Sequence, residues 1–124
     1  RLWGDSMNDI IKDAAEALQE VEKSGIQVVQ GWYREDIKET HVTLWDCGET
    51  EDSHSDDTAE GVQITVQVTI FSQNDEVELA AKIKKLMKAS GFLFEARNAD
   101  DSTPQNGIYM KAQRFNKFYE ESEE

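Results

Sequence analysis

The segment from Gly48 to Gly61 is rich in acidic side chains, which could bind a metal ion. It contains no Lys or Arg, and its acidic residues are Glu49, Glu51, Asp52, Asp56, Asp57 and Glu60. A calcium loop needs roughly six to eight oxygen ligands held in a shaped turn, with a glycine at its sixth position and a distal Glu. The spacing around Asp52 and His54 does not match that pattern. We therefore predict a solvated, mobile acidic loop and no metal site.

Other catalytic centres are poorly supported. Cys47 is the only cysteine, and neither His41 nor His54 is spaced as the base of a nucleophile. A nuclease would need paired carboxylates and a Lys on adjacent strands, but Val62 to Phe71 contains no acid. The glycines are scattered, so no phosphate-cradling loop is present. We predict no catalytic, cofactor-binding or metal-binding residue and expect a protein that is not an enzyme.

The C-terminal run from Arg114 to Tyr119 interleaves basic with aromatic residues, and such runs can stack on nucleic acid. However, the formal net charge is −13, from 26 acidic against 13 basic residues, which leaves little positive charge to displace counterions from a nucleic acid. We therefore predict no sequence-specific nucleic-acid binding. The run is interpreted as an edge strand that carries core and interface aromatics.

The length and composition favour one folded domain spanning residues 1–124. No apolar run approaches the roughly 20 residues that span a bilayer, and the first residues lack the apolar region of a secretory leader. The lone cysteine suits a reducing cytosol. We expect no membrane partner, with residues 1–6 as a flexible lead or appended tag and 120–124 as a frayed tail.

The clearest element is a strand between Gly61 and Phe71. Apolar residues alternate there with polar ones, in the order Val62, Gln63, Ile64, Thr65, Val66, Gln67, Val68, Thr69 and Ile70. Period two predicts one buried face and one solvated face.

Two amphipathic helices flank the strands. We predict that the first begins near Asp5 or Ser6 and ends before Gly25. Its apolar stripe consists of Met7, Ile10, Ile11, Ala14, Ala15, Leu18 and Val21. We predict that the second is capped by Asp75 and ends at Gly91. Its stripe consists of Val77, Leu79, Ala80, Ile83, Leu86 and Met87.

The other predicted strands are Ile26 to Tyr33, His41 to Cys47, Phe92 to Arg97 and Ile108 to Tyr119, with a turn from Asn98 to Gly107. The resulting order is α-β-β-β-α-β-β. It predicts an α+β fold: a two-layer sandwich in which two helices pack on one face of a mixed or antiparallel sheet of about four to five strands.

The other face of this sheet would have no helix to cover it. We place on it Thr43, Trp45, Thr65, Gln67, Tyr109 and Lys111. The chain also has more aromatic residues than one small core needs, and amphipathic aromatics are enriched where proteins meet. The predicted subunit or partner interface therefore consists of Trp32, Tyr33, Trp45, Thr65, Gln67, Tyr109, Phe115 and Phe118.

Several short patterns occur in a recognisable order. A strand ends in Gly31-Trp32, and a later strand reads Val62-Gln-Ile-Thr-Val-Gln-Val-Thr-Ile-Phe-Ser72. An Asp-capped helix rich in Ala and Lys follows, then Gly91-Phe92 and the closing run Gly107-Ile-Tyr-Met-Lys-Ala-Gln-Arg-Phe115. From Asn8 to Tyr119 the chain resembles the tail-terminator, or tail-completion, proteins of long-tailed bacteriophages and prophages.

The resemblance implies a non-enzymatic protein that forms a ring, typically a hexamer. Such a ring caps the tail tube, ends its elongation and joins the tail to the head connector. The implied partners are other copies of the chain, the tail-tube protein and head–tail connector proteins. The implied location is the head-proximal end of the virion tail, with the host cytoplasm during assembly. Two alternatives stay open: a head-completion or neck adaptor protein, and a small cytosolic metal-binding or hydrolytic enzyme.

Overall fold

A computed structural model describes residues 10–31, 36–51, 61–95, 100–105 and 107–120. Within these ranges the elements are α1 (Ile10–Ala17), α2 (Gln19–Lys23), β1 (Gln27–Gln30), β2 (His41–Glu51), β3 (Gly61–Ser72), α3 (Val77–Ala89), β4 (Leu93–Phe94), β5 (Asp100–Gln105) and β6 (Ile108–Glu120). This composition confirms the predicted α+β fold. None of the helices in these ranges is long and apolar enough to cross a membrane.

The strands form one mixed sheet in the order β1-β2-β3-β6-β4, and β5 also pairs with β6. The β1–β2 pair is parallel, and the other pairs are antiparallel. The prediction that the last strand lies at an edge is wrong. β6 pairs with β3 along one side and with β4 and β5 along the other, so it is an interior strand.

The core lies between one face of the sheet and the helices. The apolar positions of β3 are all buried, as their alternation predicts: Val62, Ile64, Val66, Val68 and Ile70. The buried residues of the helices pack in the same cluster: Ile10, Ile11, Ala14, Val21, Ala80, Ile83 and Met87. The two-layer arrangement is therefore confirmed for the described residues, while Met7 lies outside them.

The helices differ in detail from the prediction. The first is interrupted at Leu18, which separates α1 from α2, and its predicted start lies outside the described residues. The predicted N-cap of the second is wrong by one position: the residue before α3 is Glu76, and its side chain makes no capping hydrogen bond. Asp75 instead pairs with Lys111 Nζ at 3.2 Å. The predicted stop at Gly91 is confirmed, since its φ of 96° lies in the left-handed region that glycine tolerates.

The second predicted strand is longer than expected. β2 continues past Gly48 to Glu51, with a register shift between Asp46 and Gly48. Gly48 has a φ of 104°, so it accommodates a bulge within the strand and does not begin a loop. The predicted loop is therefore wrong for residues 48–51, and residues 52–60 lie outside the described part of the chain.

The predicted turn from Asn98 to Gly107 is also wrong in large part. Asp100–Gln105 forms β5, which pairs with the first half of β6. Pro104 lies within the register shift between Ser102 and Gln105. Regular pairing is already interrupted there, so the missing N–H of proline disturbs the hydrogen bonding between the strands least. Among the described residues of this segment only Gly107 forms a turn, and residues 98, 99 and 106 lie outside them. The sequence favoured a turn because Asp, Ser and Pro are typical turn residues, whereas β5 forms because a partner strand is present.

Candidate assembly surface

Strand register places a set of side chains on the sheet face opposite the helices, because directly opposed residues of paired strands share a face. Trp45, Gln67 and Arg114 form one row across β2, β3 and β6. The next row contains Thr65, Asn116 and, on β4, Leu93. Phe118 lies opposite Gln63 in the third row. We call this set the open face: Trp45, Gln63, Thr65, Gln67, Leu93, Arg114, Asn116 and Phe118.

Three large apolar side chains of the open face are exposed. The exposed fractions are 47% for Trp45, 63% for Leu93 and 38% for Phe118. Rows on one face are separated by about 7 Å, and neighbouring strands by about 4.8 Å. Leu93 and Phe118 are therefore diagonal neighbours, whereas Trp45 lies three strands from Leu93, about 14 Å across the sheet. These residues surround a polar centre.

Gln67 is the middle of that polar centre. Arg114 Nε donates a hydrogen bond to Gln67 Oε1 at 2.9 Å, and Gln67 Nε2 donates to Thr69 Oγ1 at 3.0 Å. The side chain is only 6% exposed. Both ends of its amide are thus satisfied within the subunit, which is the condition for burying a polar group at low cost.

Asn116 on β6 joins β3 to the residue that follows β4. Its Oδ1 accepts a hydrogen bond from Thr65 Oγ1 at 2.6 Å, and its Nδ2 donates to Glu95 Oε2. The backbone N–H of Glu95 donates to the carbonyl of Arg114 at 2.9 Å, which fixes the residue after β4 against β6. These hydrogen bonds order the polar centre before any partner arrives.

The bulge in β2 places Cys47 beside this polar centre. The backbone N–H of Gly48 donates to Asp46 Oδ1 at 2.8 Å, which stabilises the bulge. Although the Cys47 side chain is exposed, desolvation by the adjacent sheet raises the pKa of its thiol. Arg114 lowers this pKa, while Asp46 and Glu95 raise it, and desolvation is the largest of these effects.

The structure brings together part of the predicted interface. Trp45, Thr65, Gln67 and Phe118 all belong to the open face. Thr43 shares the face of Trp45, but it is fully buried. Trp32 and Tyr33 lie outside the described residues.

Tyr109, Lys111 and Phe115 of β6 were predicted on the face away from the helices or in the interface, and this is wrong. This alternating set of β6 residues faces the helices. Phe115 lies opposite Val66 and is fully buried in the core. Lys111 lies opposite Ile70, on the helix side. Tyr109 has the same orientation and is half-buried opposite Ser72.

The sequence reasoning missed Leu93, Glu95, Arg114 and Asn116. Arg114 and Asn116 alternate with Phe115, and that pattern could have assigned them to the face opposite the core. The short strand β4 contains too few residues for a periodic pattern, so nothing in the sequence singles out Leu93.

Among the residues that the structure describes, no group of three or more His, Cys, Asp and Glu side chains could hold a metal ion. The acidic segment predicted to lack a metal site lies mostly outside these residues. No protein-family model matches the chain, and no curated protein matches it.

Proposed function

We propose that this protein is a structural subunit of the tail-terminator type, which assembles as a hexameric ring on the end of a phage tail tube. The observation that carries the proposal is that three large apolar side chains, Trp45, Leu93 and Phe118, share the open face. They come from three different strands, they are exposed, and they lie on the one sheet face that no described helix covers. Exposed aromatic side chains at the margin of a polar surface are typical of surfaces that contact other proteins.

The polar centre of the open face also favours protein contact over catalysis. Gln67 and Asn116 have their amide groups bonded within the subunit. A partner can therefore cover this polar centre without supplying hydrogen bonds to the two amide groups. Large aromatic side chains around a preformed surface are the usual anchors of interfaces, and Trp45 is the strongest candidate for that role.

In the proposed role the open face contacts a neighbouring subunit or the tail tube, and the ring offers its other side to the head connector. The formal charge of −13 keeps free subunits soluble and opposes nonspecific association. The protein acts without a catalytic residue or cofactor, first in the host cytoplasm and then at the head-proximal end of the tail.

The test compares tube capping by two matched variants. Trp45→Ser combined with Phe118→Ser removes exposed apolar groups from the open face, and we expect a folded protein that no longer caps tubes. Val77→Ser is the control, because Val77 is also exposed, at 60%, but lies at the start of α3. Electron microscopy of tail tubes from the encoding phage, with and without each protein, gives the readout.

Capping by the open-face variant at wild-type levels would contradict the proposal, as would wild-type protein that never binds tubes. Binding to filled heads but not to tubes would favour the head-completion or neck adaptor role. Thr65→Lys is a third variant: Thr65 is half-buried, and the substitution adds a charge but removes the hydrogen bond to Asn116, so lost assembly supports the proposal only when circular dichroism shows a folded subunit. Gln67 is less suitable, because its burial and bond to Arg114 would confuse assembly with folding.

A further inference from the structure

Strand β1 forms one end of the sheet and pairs along one side only. Its partner is β2, and no other described strand lies along its outer side. The backbone N–H of Gly31 donates to the carbonyl of Leu44 at 2.9 Å, so Gly31 directs its backbone groups toward β2. Because these groups alternate in direction along a strand, Val28 and Gln30 direct theirs outward. This edge therefore offers two residues that can pair with a further strand.

The residues of β1 do little to prevent such pairing. Edge strands are usually protected by charged residues, by proline, by a bulge or by a short length. β1 is short, at four residues, but Gln27-Val-Val-Gln30 contains no charge and no proline, and its register with β2 is regular. By contrast, β5 on the far side of β6 contains Asp100, Asp101 and Pro104, and its register with β6 shifts. β1 is therefore the edge better suited to accept a strand.

A groove lies beside this edge, where α2 leads into β1. Its volume is about 230 Å³, and its lining residues are Glu22, Gly25, Ile26, Gln27, Val28 and Val29. Ile26 and Val28 also pack against the hydrophobic core, so they form an apolar wall. Glu22 is exposed and forms no ion pair with a described residue. The groove therefore combines an apolar wall with a carboxylate that is available to a cation.

Backbone hydrogen bonds hold this groove in place. The N–H of Gly25 donates to the carbonyl of Glu22 at 3.0 Å, and the N–H of Ile26 donates to the carbonyl of Val21 at 3.4 Å. Val21 is fully buried, so these bonds tie the turn between α2 and β1 to the core. A ligand therefore meets a groove that the fold has already formed.

We propose that β1 accepts an extended segment of a partner protein as an added strand, with a Lys or Arg side chain of that segment in the groove. Main-chain hydrogen bonds to Val28 and Gln30 hold the segment, and the groove selects its side chain, which is how strand addition generally gives affinity and specificity. The alkyl stem of the Lys or Arg contacts Ile26 and Val28, and its charged end pairs with Glu22. This inference does not depend on the proposed ring-forming function.

Charge complementarity favours a basic segment of another protein over a second copy of this chain. Two copies that each carry a formal charge of −13 repel one another. The edge strands β1, β4 and β5 contain no Lys or Arg, so none of them could place a cation in the groove of another copy. Glu20 and Lys23, the charged neighbours of Glu22 on α2, do not line the groove. Glu22 therefore sets the charge that the groove presents.

The test of the groove uses a labelled synthetic peptide in which valine alternates with lysine, and fluorescence anisotropy measures its binding to the full chain. Glu22→Lys should weaken binding at least about tenfold, because it replaces the carboxylate in the groove by a cation. Glu20→Lys is the control: it makes an equal charge change on the same helix outside the groove, and it should weaken binding by no more than about twofold. Equal losses in the two variants would reveal a general charge effect and overturn the inference.

The test of strand addition removes one outward N–H group. Gln30→Pro deletes this donor, whereas the control Gln30→Ala removes the same side chain and keeps the N–H. Proline is tolerated in an edge strand where its nitrogen faces away from the partner strand, so both variants should fold, which circular dichroism checks. We expect Gln30→Pro to weaken binding of the lysine peptide at least about tenfold and Gln30→Ala by no more than about twofold. Equal binding by the two folded variants would contradict strand addition.

Amide hydrogen exchange of the wild-type protein locates the peptide without any substitution. Exchange at Val28 and Gln30 should slow when the lysine peptide is added, whereas exchange at Val29, whose N–H faces β2, should change little. Absence of this protection, or protection confined to other strands, would refute the inference. Protection of Val28 and Gln30 in concentrated protein without peptide would show that a second copy occupies the edge, and it would refute the proposed occupant.

The outcomes also distinguish this inference from the proposed function. If the lysine peptide does not bind wild-type protein, while Trp45→Ser with Phe118→Ser abolishes tube capping, strand addition is wrong and the proposed function stands. If the peptide protects Val28 and Gln30 but wild-type protein never caps tubes, strand addition stands and the proposed function is wrong.

Discussion

Arg114 Nε donates a hydrogen bond to Gln67 Oε1 at 2.9 Å, across the β3–β6 pair and on the face of the sheet away from the helices. The bond satisfies the acceptor of a side chain that is nearly buried. It also places a guanidinium in the middle of the open face. The Arg114–Gln67 pair therefore contributes to the stability of the fold and also sets the charge at the middle of the open face.

The first prediction concerns the stability of that pair. Arg114→Met should lower the free energy of unfolding by about 1.5 kcal/mol, because it removes a charged donor and leaves Gln67 Oε1 without one. Urea denaturation followed by circular dichroism measures the change. The Gln67→Leu variant and the double variant complete a double-mutant cycle. A coupling energy indistinguishable from zero would show that the hydrogen bond does not contribute to stability.

The second prediction separates two aromatic residues of β6 that look alike in the sequence. Phe115→Ala should lower the free energy of unfolding by about 3–5 kcal/mol, because it leaves a cavity at a fully buried position. Phe118→Ala should change it by no more than about 1 kcal/mol, since that side chain is exposed. Thermal and urea unfolding of the two variants provide the comparison. Equal losses of stability would contradict the strand register described above.

The third prediction concerns the reactivity of Cys47. Desolvation raises the pKa of its thiol, so at neutral pH the thiolate fraction should be below that of free cysteine. Alkylation by iodoacetamide should be correspondingly slow and should accelerate as the pH rises. Arg114→Met should slow it further, because the guanidinium lowers this pKa. Unchanged or faster alkylation in that variant would contradict the placement of Arg114 beside the thiol; glutathione under the same conditions is the reference.

Elements whose residues alternate strongly were predictable. The apolar positions of β3 are buried, and the stripes of the helices supply the buried residues of the opposite layer. The predicted solvated face of β3 is wrong at Gln67 and Thr69, which are also buried. These patterns are reliable because each helix or strand is stabilised mainly by burying one face. Its apolar residues therefore recur with the period of the helix or strand. The α+β fold with helices on one face follows from their order.

The open face was only partly predictable, because both sets of alternating residues on β6 contain apolar side chains. The sequence analysis placed Lys111 on the uncovered face and Phe115 in the interface, whereas the structure buries Phe115 and turns Gln113 inward, where Nε2 donates to the carbonyl of Ala80 at 3.3 Å. A shift of one residue exchanges the two faces of a strand. Pairing with β3 decided which face of β6 packs against the helices.

Sequence by itself determined the helices, the central strand and the fold class, because each is encoded in a local period. Only the tertiary structure decided that Trp45, Leu93 and Phe118 lie on one face. They are separated by dozens of residues along the chain, and each lies on a different strand. Their placement on one face results from strand order and register, which long-range hydrogen bonds fix and no local pattern specifies.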